Sequence, residues 1–187
     1  MLIDRQRSLL LIVDVQEKLV PAIHDFAPFL KNAILMMGAA GRLGVPMQMS
    51  EQYPQGLGHT IPELRTLYHG GSTDGSDGQV FEKTCFSCSE EPGFLPKLAE
   101  FERDQIVLIG IEAHICILQT AIGLQSAGYH PFVVADAVSS RNSENCALGL
   151  ARLRANGIAV VSTEMVLFEW LKCSGTGEFR EISKLLR

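Results

Sequence analysis

Three side chains of this sequence would make a nucleophilic site if the fold brought them together: the carboxylate of Asp14, the ammonium of Lys83 and the thiol of Cys116. A free thiol has a pKa of about 8.5, so near neutral pH it is mostly protonated and needs activation before it attacks carbon. A helix N-terminus and a nearby cation both favour the thiolate. A carboxylate can take the thiol proton and later return it to a leaving group, and a lysine keeps that carboxylate ionised. Taken singly, each residue also has a plainer reading: Cys116 as a small core residue, Asp14 as a helix cap, Lys83 as a solvated charge. The chemistry therefore depends on the elements that carry them.

Short apolar runs alternate with longer helical patterns along the chain. Leu9–Val13, Val45–Met49, Gln79–Phe81, Gln105–Ile109, Pro131–Ala135 and Ile158–Val161 read as strands, several of them continuous in Val, Ile and Leu. Phe26–Leu43, Pro92–Phe101, His114–Ala127 and Ser143–Asn156 read as helices, the third with Ile115, Leu118, Ala121, Ile122 and Leu124 along one face. In LGV, AGY and NGI a glycine stops a helix just before the next strand. This alternation predicts an α/β fold: a three-layer α/β/α sandwich around a six-stranded, mainly parallel, doubly wound Rossmann-like sheet, in one domain over 1–187. Ligands of such sheets sit beyond the carboxyl ends of the strands. Asp14 directly follows the first run, Lys83 lies just past the third, and Cys116 opens the helix after the fourth.

The composition sets bounds on partners and compartment. Hydrophobic residues make up 47% and charged residues 20%, as in ordinary soluble globular proteins. The net charge is -5 and no Lys/Arg cluster occurs, so a nucleic-acid surface is not expected. The apolar run Leu9–Val13 is broken at once by Asp14, too short to cross a membrane and without a signal-peptide cleavage pattern. Five cysteines and no targeting segment suggest free thiols in the cytoplasm.

LLIVDVQEKL, FEKTCFSC, LIGIEAHICILQTA and VVADAVSSR occur in this order between Leu9 and Glu169. Together they resemble the isochorismatase-like cysteine hydrolase superfamily, and most of all its small isochorismatase-domain-containing hydrolases. The resemblance implies an Asp14–Lys83–Cys116 triad, a cis peptide between Ile111 and Glu112, and an oxyanion hole formed by the backbone N–H groups of Glu112 and Cys116. It implies attack of the thiol on a small amide, carbamoyl or related compound, with an acyl intermediate that water then hydrolyses. The namesake vinyl-ether cleavage is run by members lacking the cysteine. It also implies a homo-oligomer, for which the apolar residues of the last third would serve. Ala113 departs from the pattern, since many members carry threonine there. The alternative, a non-catalytic interaction protein keeping the fold, would be marked by loss of a triad residue. A dinucleotide-binding reading fails because VDVQEKL lacks the glycine turn a pyrophosphate requires.

No metal and no cofactor are expected. Related nicotinamidases bind a metal through Asp and His residues after the second strand, but QMSEQYPQGLGHTIPEL offers only Glu51 and His59. CFSC has zinc-like spacing without a second pair, so Cys85 and Cys88 read as structural. TDGSDG fails the calcium-loop pattern at Gly78 and reads as a turn-rich loop. Gln16, Gln52, Tyr53 and His114 are candidate substrate contacts. His114 is too near Cys116 along one helix to activate it directly. Asp136 and Arg141 are expected to pair with each other.

Overall fold

The computed structural model describes residues 1–68 and 78–186. The stretch TDGSDG therefore falls, except for its last glycine, outside the described residues. Six strands form one sheet: β1 (Ser8–Val13), β2 (Met47–Gln52), β3 (Phe81–Lys83), β4 (Gln105–Ile111), β5 (His130–Ser139) and β6 (Ala159–Val161). Every pairing is parallel, in the order β3-β2-β1-β4-β5-β6. The order reverses between β1 and β4, which opens a crevice at their carboxyl ends. The helices are α1 (Phe26–Leu43), α2 (Pro54–Leu57), α3 (Pro62–Arg65), α4 (Phe94–Ala99), α5 (Leu118–Ser126), α6 (Ser143–Ala155), α7 (Thr163–Leu171) and α8 (Gly177–Leu185).

Alternation along β1 divides the core into two layers. Leu10 and Ile12 pack with α1, α7 and α8, through residues such as Met36, Trp170 and Ile182. Leu9, Leu11 and Val13 pack with α4, α5 and α6, through Phe94, Ala121 and Leu153. Each layer buries a long apolar face at roughly 25 cal/mol per Å². Gly44, Gly128 and Gly157 adopt positive φ at the three helix stops read from the sequence. Gly110 has a different reason to be glycine: a Cβ there would lie 2.2 Å from the Val13 carbonyl oxygen, so β1 and β4 could not close up at the switch point.

Several boundaries differ from the sequence reading for one reason. The reading ends β2 at Met49, yet the strand runs on through Ser50, Glu51 and Gln52, all buried. It ends the third strand at Phe81, yet β3 spans Phe81–Lys83 and includes the buried lysine. Polar residues at strand ends look like loop until their tertiary hydrogen-bond partners are known. The helix expected over His114–Ala127 is split: Ala113–Ile117 forms a π-helical turn, and the α-helix begins only at Leu118. The chain's last third does not present its apolar residues outward as a whole. Val166, Leu167, Trp170 and Leu171 are core, leaving Leu148, Met165 and Phe168 as the large exposed ones there, with Leu185 beyond them on α8.

Candidate active site

The turn after β1 places Asp14 in the left-handed region at φ 54°, a conformation aspartate tolerates better than most residues. Its N–H donates to the Ser50 carbonyl oxygen at 3.1 Å, so the bend is fastened to β2. The carboxylate is fully buried. Lys83, the last residue of β3, reaches across the end of β2 and sets Nζ 2.7 Å from Asp14 Oδ2. The same ammonium donates to Gln52 Oε1 at 2.6 Å and to the carbonyl oxygens of Cys85 and Phe86 at 3.2 and 3.1 Å. A buried cation needs such a cage, since charge without partners is costly away from water.

Cys116 lies in the π-helical turn after β4, across the switch point, and faces the Asp14 carboxyl. The fold thus brings together the three side chains on which the sequence reading centred. The Ile111–Glu112 peptide is cis. The buried Glu112 side chain is held by Arg141, which donates Nε to Oε1 at 3.0 Å and its backbone N–H to Oε2 at 2.8 Å. Gly149 lets α6 approach this turn, for a Cβ there would lie 2.9 Å from the His114 Cα.

The electrostatics differ from the simple expectation of a thiolate at rest. Burial, reinforced by the adjacent Asp14 carboxylate, pushes the Cys116 thiol well above the ordinary range. Burial also raises Asp14, against the opposing pull of Lys83, Ser50 and Cys116. Burial acts to lower Lys83, but Asp14 and the two nearby thiols, Cys88 and Cys116, outweigh it and raise the ammonium. Burial thus favours the neutral thiol of Cys116 beside the Asp14–Lys83 pair. A proton acceptor, rather than a depressed thiol pKa, must supply the activation.

The remaining candidates divide sharply. Gln16 is fully buried; its Nε2 donates to the carbonyl oxygens of Gln52 and Gly58, and its Oε1 accepts from the Gln52 N–H. It ties the segment after β1 to β2. Gln52 is likewise committed, accepting from Lys83 and donating to the Thr84 carbonyl. Tyr53 is exposed, its ring lying over Gly56. His114 pairs through Nδ1 with Ser140 Oγ at 2.9 Å, at the end of β5 rather than with Cys116.

The expected Asp136–Arg141 pair does not form. Asp136 instead caps α7 by accepting from the Thr163 N–H and hydroxyl, while Arg141 holds Glu112. Asp136 meets a donor, Thr163, and Arg141 an acceptor, Glu112, each brought from a distant part of the sequence. Glu51 accepts from the Thr60 N–H and hydroxyl at 2.7 and 2.8 Å and pairs with His59 at 3.0 Å. Among the described residues no three His, Cys, Asp or Glu side chains converge as a metal site.

Two participants escaped the sequence reading. Ser50 donates Oγ–H to Asp14 Oδ1 at 2.8 Å, and the Cys88 thiol lies 3.6 Å behind it. Cys88, read as structural, does fill the core, yet it fills it against this cluster. Extending β2 in register with β1 would have found Ser50, which pairs with Val13.

Comparison with known proteins assigns the fold and the family. The isochorismatase domain model matches residues 8–165. The chain is 38% identical over 180 residues to isochorismatase domain-containing protein 2 of Danio rerio, covering 96% of this chain and 86% of that one. Its fold superposes on a structure titled MAR1 ribonuclease from Caenorhabditis elegans with TM-score 0.88 and 32% identity, covering 100% of this chain and 92% of the other. It also superposes on the YcaC gene product of Escherichia coli, titled an octameric hydrolase of unknown specificity, with TM-score 0.89, 17% identity and coverage of 99% and 90%. The match across both cores and all three strand ends that carry Asp14, Lys83 and Cys116 places this chain in the isochorismatase family.

Proposed function

We propose that the protein is a metal-independent cysteine hydrolase that cleaves a small amide, carbamoyl or related substrate. One observation carries this reading: a fully buried Asp14–Lys83 pair, 2.7 Å apart, faces the thiol of Cys116 at the sheet's switch point. A buried charge pair costs stability relative to apolar packing, which suits a site kept for chemistry. Cys116 Sγ attacks the carbonyl carbon as Asp14 takes the thiol proton. The oxyanion is held by the N–H groups of Glu112 and Cys116. Collapse breaks the C–N bond, and Asp14 passes its proton to the leaving nitrogen. Water then attacks the thioester carbon, giving its proton to Asp14, which returns it to the departing sulfur. Carboxylic acid and amine leave, and the thiol is restored.

A metal is assigned no part because Glu51 spends its oxygens on Thr60 and His59. The net charge of -5 and the lack of a Lys/Arg cluster in the sequence favour a small molecule over RNA as the substrate. The five free cysteines suit the cytoplasm, and among the described residues no helix is long and apolar enough to cross a membrane. Exposed Leu148, Met165 and Phe168 on α6 and α7 suit burial between subunits of a homo-oligomer. The test is ammonia release from a panel of small primary amides and carbamoyl compounds, with intact-mass detection of acyl adducts. Wild type is expected to turn over at least one, with the adduct on Cys116, and Cys116→Ala none. Equal release by the two proteins would remove Cys116 from the reaction.

A further inference from the structure

The Asp14 carboxylate has two unlike oxygens. Oδ1 accepts the Ser50 hydroxyl at 2.8 Å. Oδ2 lies 2.7 Å from Lys83 Nζ yet receives no well-aligned hydrogen bond among the described residues. Ser50 itself is fully buried at the end of β2, and the Cys88 Sγ lies 3.6 Å from its oxygen. Cys88 is fixed in turn, since its N–H donates to Thr120 Oγ1 at 2.9 Å and both residues are fully buried.

A hydroxyl has one proton to give. With the Cys88 S–H donating into the serine oxygen, the serine proton has one acceptor left, Asp14 Oδ1. We propose that Ser50, oriented by the Cys88 thiol, is a positioning residue that pins Oδ1 and so leaves Oδ2 to receive the proton of Cys116. The proposal rests on the reading of Asp14 as the base of the reaction. The hydrogen-bonded contact of this thiol–hydroxyl pair with the site is made through Asp14 Oδ1.

Burial pushes the Cys88 thiol up to about 11, which keeps it a neutral donor across the working range. The titratable groups facing Asp14 are Lys83 from β3 and Cys116 from the turn after β4, with Cys88 behind Ser50 from the loop after β3. Ser50 stabilises the ionised carboxylate, so its loss must raise the pH at which Asp14 becomes a base.

The test uses iodoacetamide, itself a small primary amide, and follows alkylation of Cys116 by peptide mass spectrometry across pH. Exposed Cys173 serves as the internal reference. In the wild type, Cys116 labelling should fall on the acid side as Asp14 protonates. Ser50→Ala should move that limb upward by about one pH unit, a tenfold slower reaction on the limb, while Ser50→Thr keeps the wild-type profile. Cys88→Ala should move it the same way by less, and serves as the reporter if Ser50→Ala fails to fold. A uniform loss without a shift, or profiles that superimpose for both Ser50→Ala and Cys88→Ala, would overturn the inference. If Asp14→Asn itself keeps the acid limb, the assignment of Asp14 as base fails, and this inference with it.

Discussion

Asp14 and Glu51 are both buried carboxylates at the carboxyl edge of the same sheet, one just after β1 and one on the adjacent β2, each beside a basic side chain. Their proton affinities move in opposite directions. Burial works against ionisation of Glu51 too, but the Thr60 N–H, the His59 ring and the Thr60 hydroxyl outweigh it and hold its carboxyl below the ordinary range. At Asp14 burial wins over Lys83, Ser50 and Cys116, and the carboxyl is raised. The difference lies in how deeply each carboxyl is enclosed and in the donors it receives. Glu51 receives a backbone N–H and a hydroxyl on one oxygen and a largely exposed imidazole on the other, so both are satisfied. Among the described residues the Asp14 carboxylate has one well-made hydrogen bond, on Oδ1, and an oxygen, Oδ2, without one. A satisfied carboxylate braces a loop; an incompletely satisfied one retains the basicity a reaction needs.

The largest effect expected from this contrast is on Cys116 reactivity. Asp14→Asn should slow iodoacetamide labelling of Cys116 by on the order of 10²–10⁴-fold, the range of a lost general base. Electrostatics alone predicts the reverse, because removing the neighbouring carboxylate favours the thiolate. Faster labelling in Asp14→Asn would therefore break the comparison. Glu51→Gln should leave the labelling rate within about threefold, as a change outside the reacting groups.

Stability should separate the two carboxylates next. Lys83→Met leaves Asp14 buried without its cation and should cost about 3–5 kcal/mol near neutral pH, read by urea unfolding. Adding Asp14→Asn should recover most of that loss. A double variant as unstable as Lys83→Met would show that the ammonium's cage, not the charge pair, dominates.

A smaller loss is expected at the satisfied site. Glu51→Ala strands the Thr60 N–H and should cost about 1–3 kcal/mol. Because the Glu51 carboxyl lies below its ordinary value of 4.5 in the folded protein, its contribution is present above that value and is lost as pH falls through the folded one. The stability gap between wild type and Glu51→Ala should close in acid. A gap that persists there would place the loss in packing rather than ionisation.

Much of this contrast can be read in the sequence, and the failures share a cause. Apolar runs and glycine stops placed every strand within a few residues and gave α1 its full span, because burial demands are written directly in side-chain type. Ser50, Glu51, Gln52 and Lys83 fall outside the strands read from the sequence because their polarity suggests solvent. Asp136 and Arg141 suggest a pair because they are near in sequence, whereas Thr163 and Glu112 are near in space. The extra helices α7 and α8 went unread, and only contact with α1 and β5 makes their apolar residues core.

The sequence by itself determined the alternating α/β plan and the edge to which Asp14, Lys83 and Cys116 belong, since alternation and strand-end position are local properties. Only the tertiary structure decided the protonation balance. Proton affinity depends on burial and on the count of donors arriving from other strands, and no local pattern records them. That is why Cys116 rests as a thiol, why Ser50 joins Asp14, and why Glu51, a near twin on the next strand, braces a loop instead.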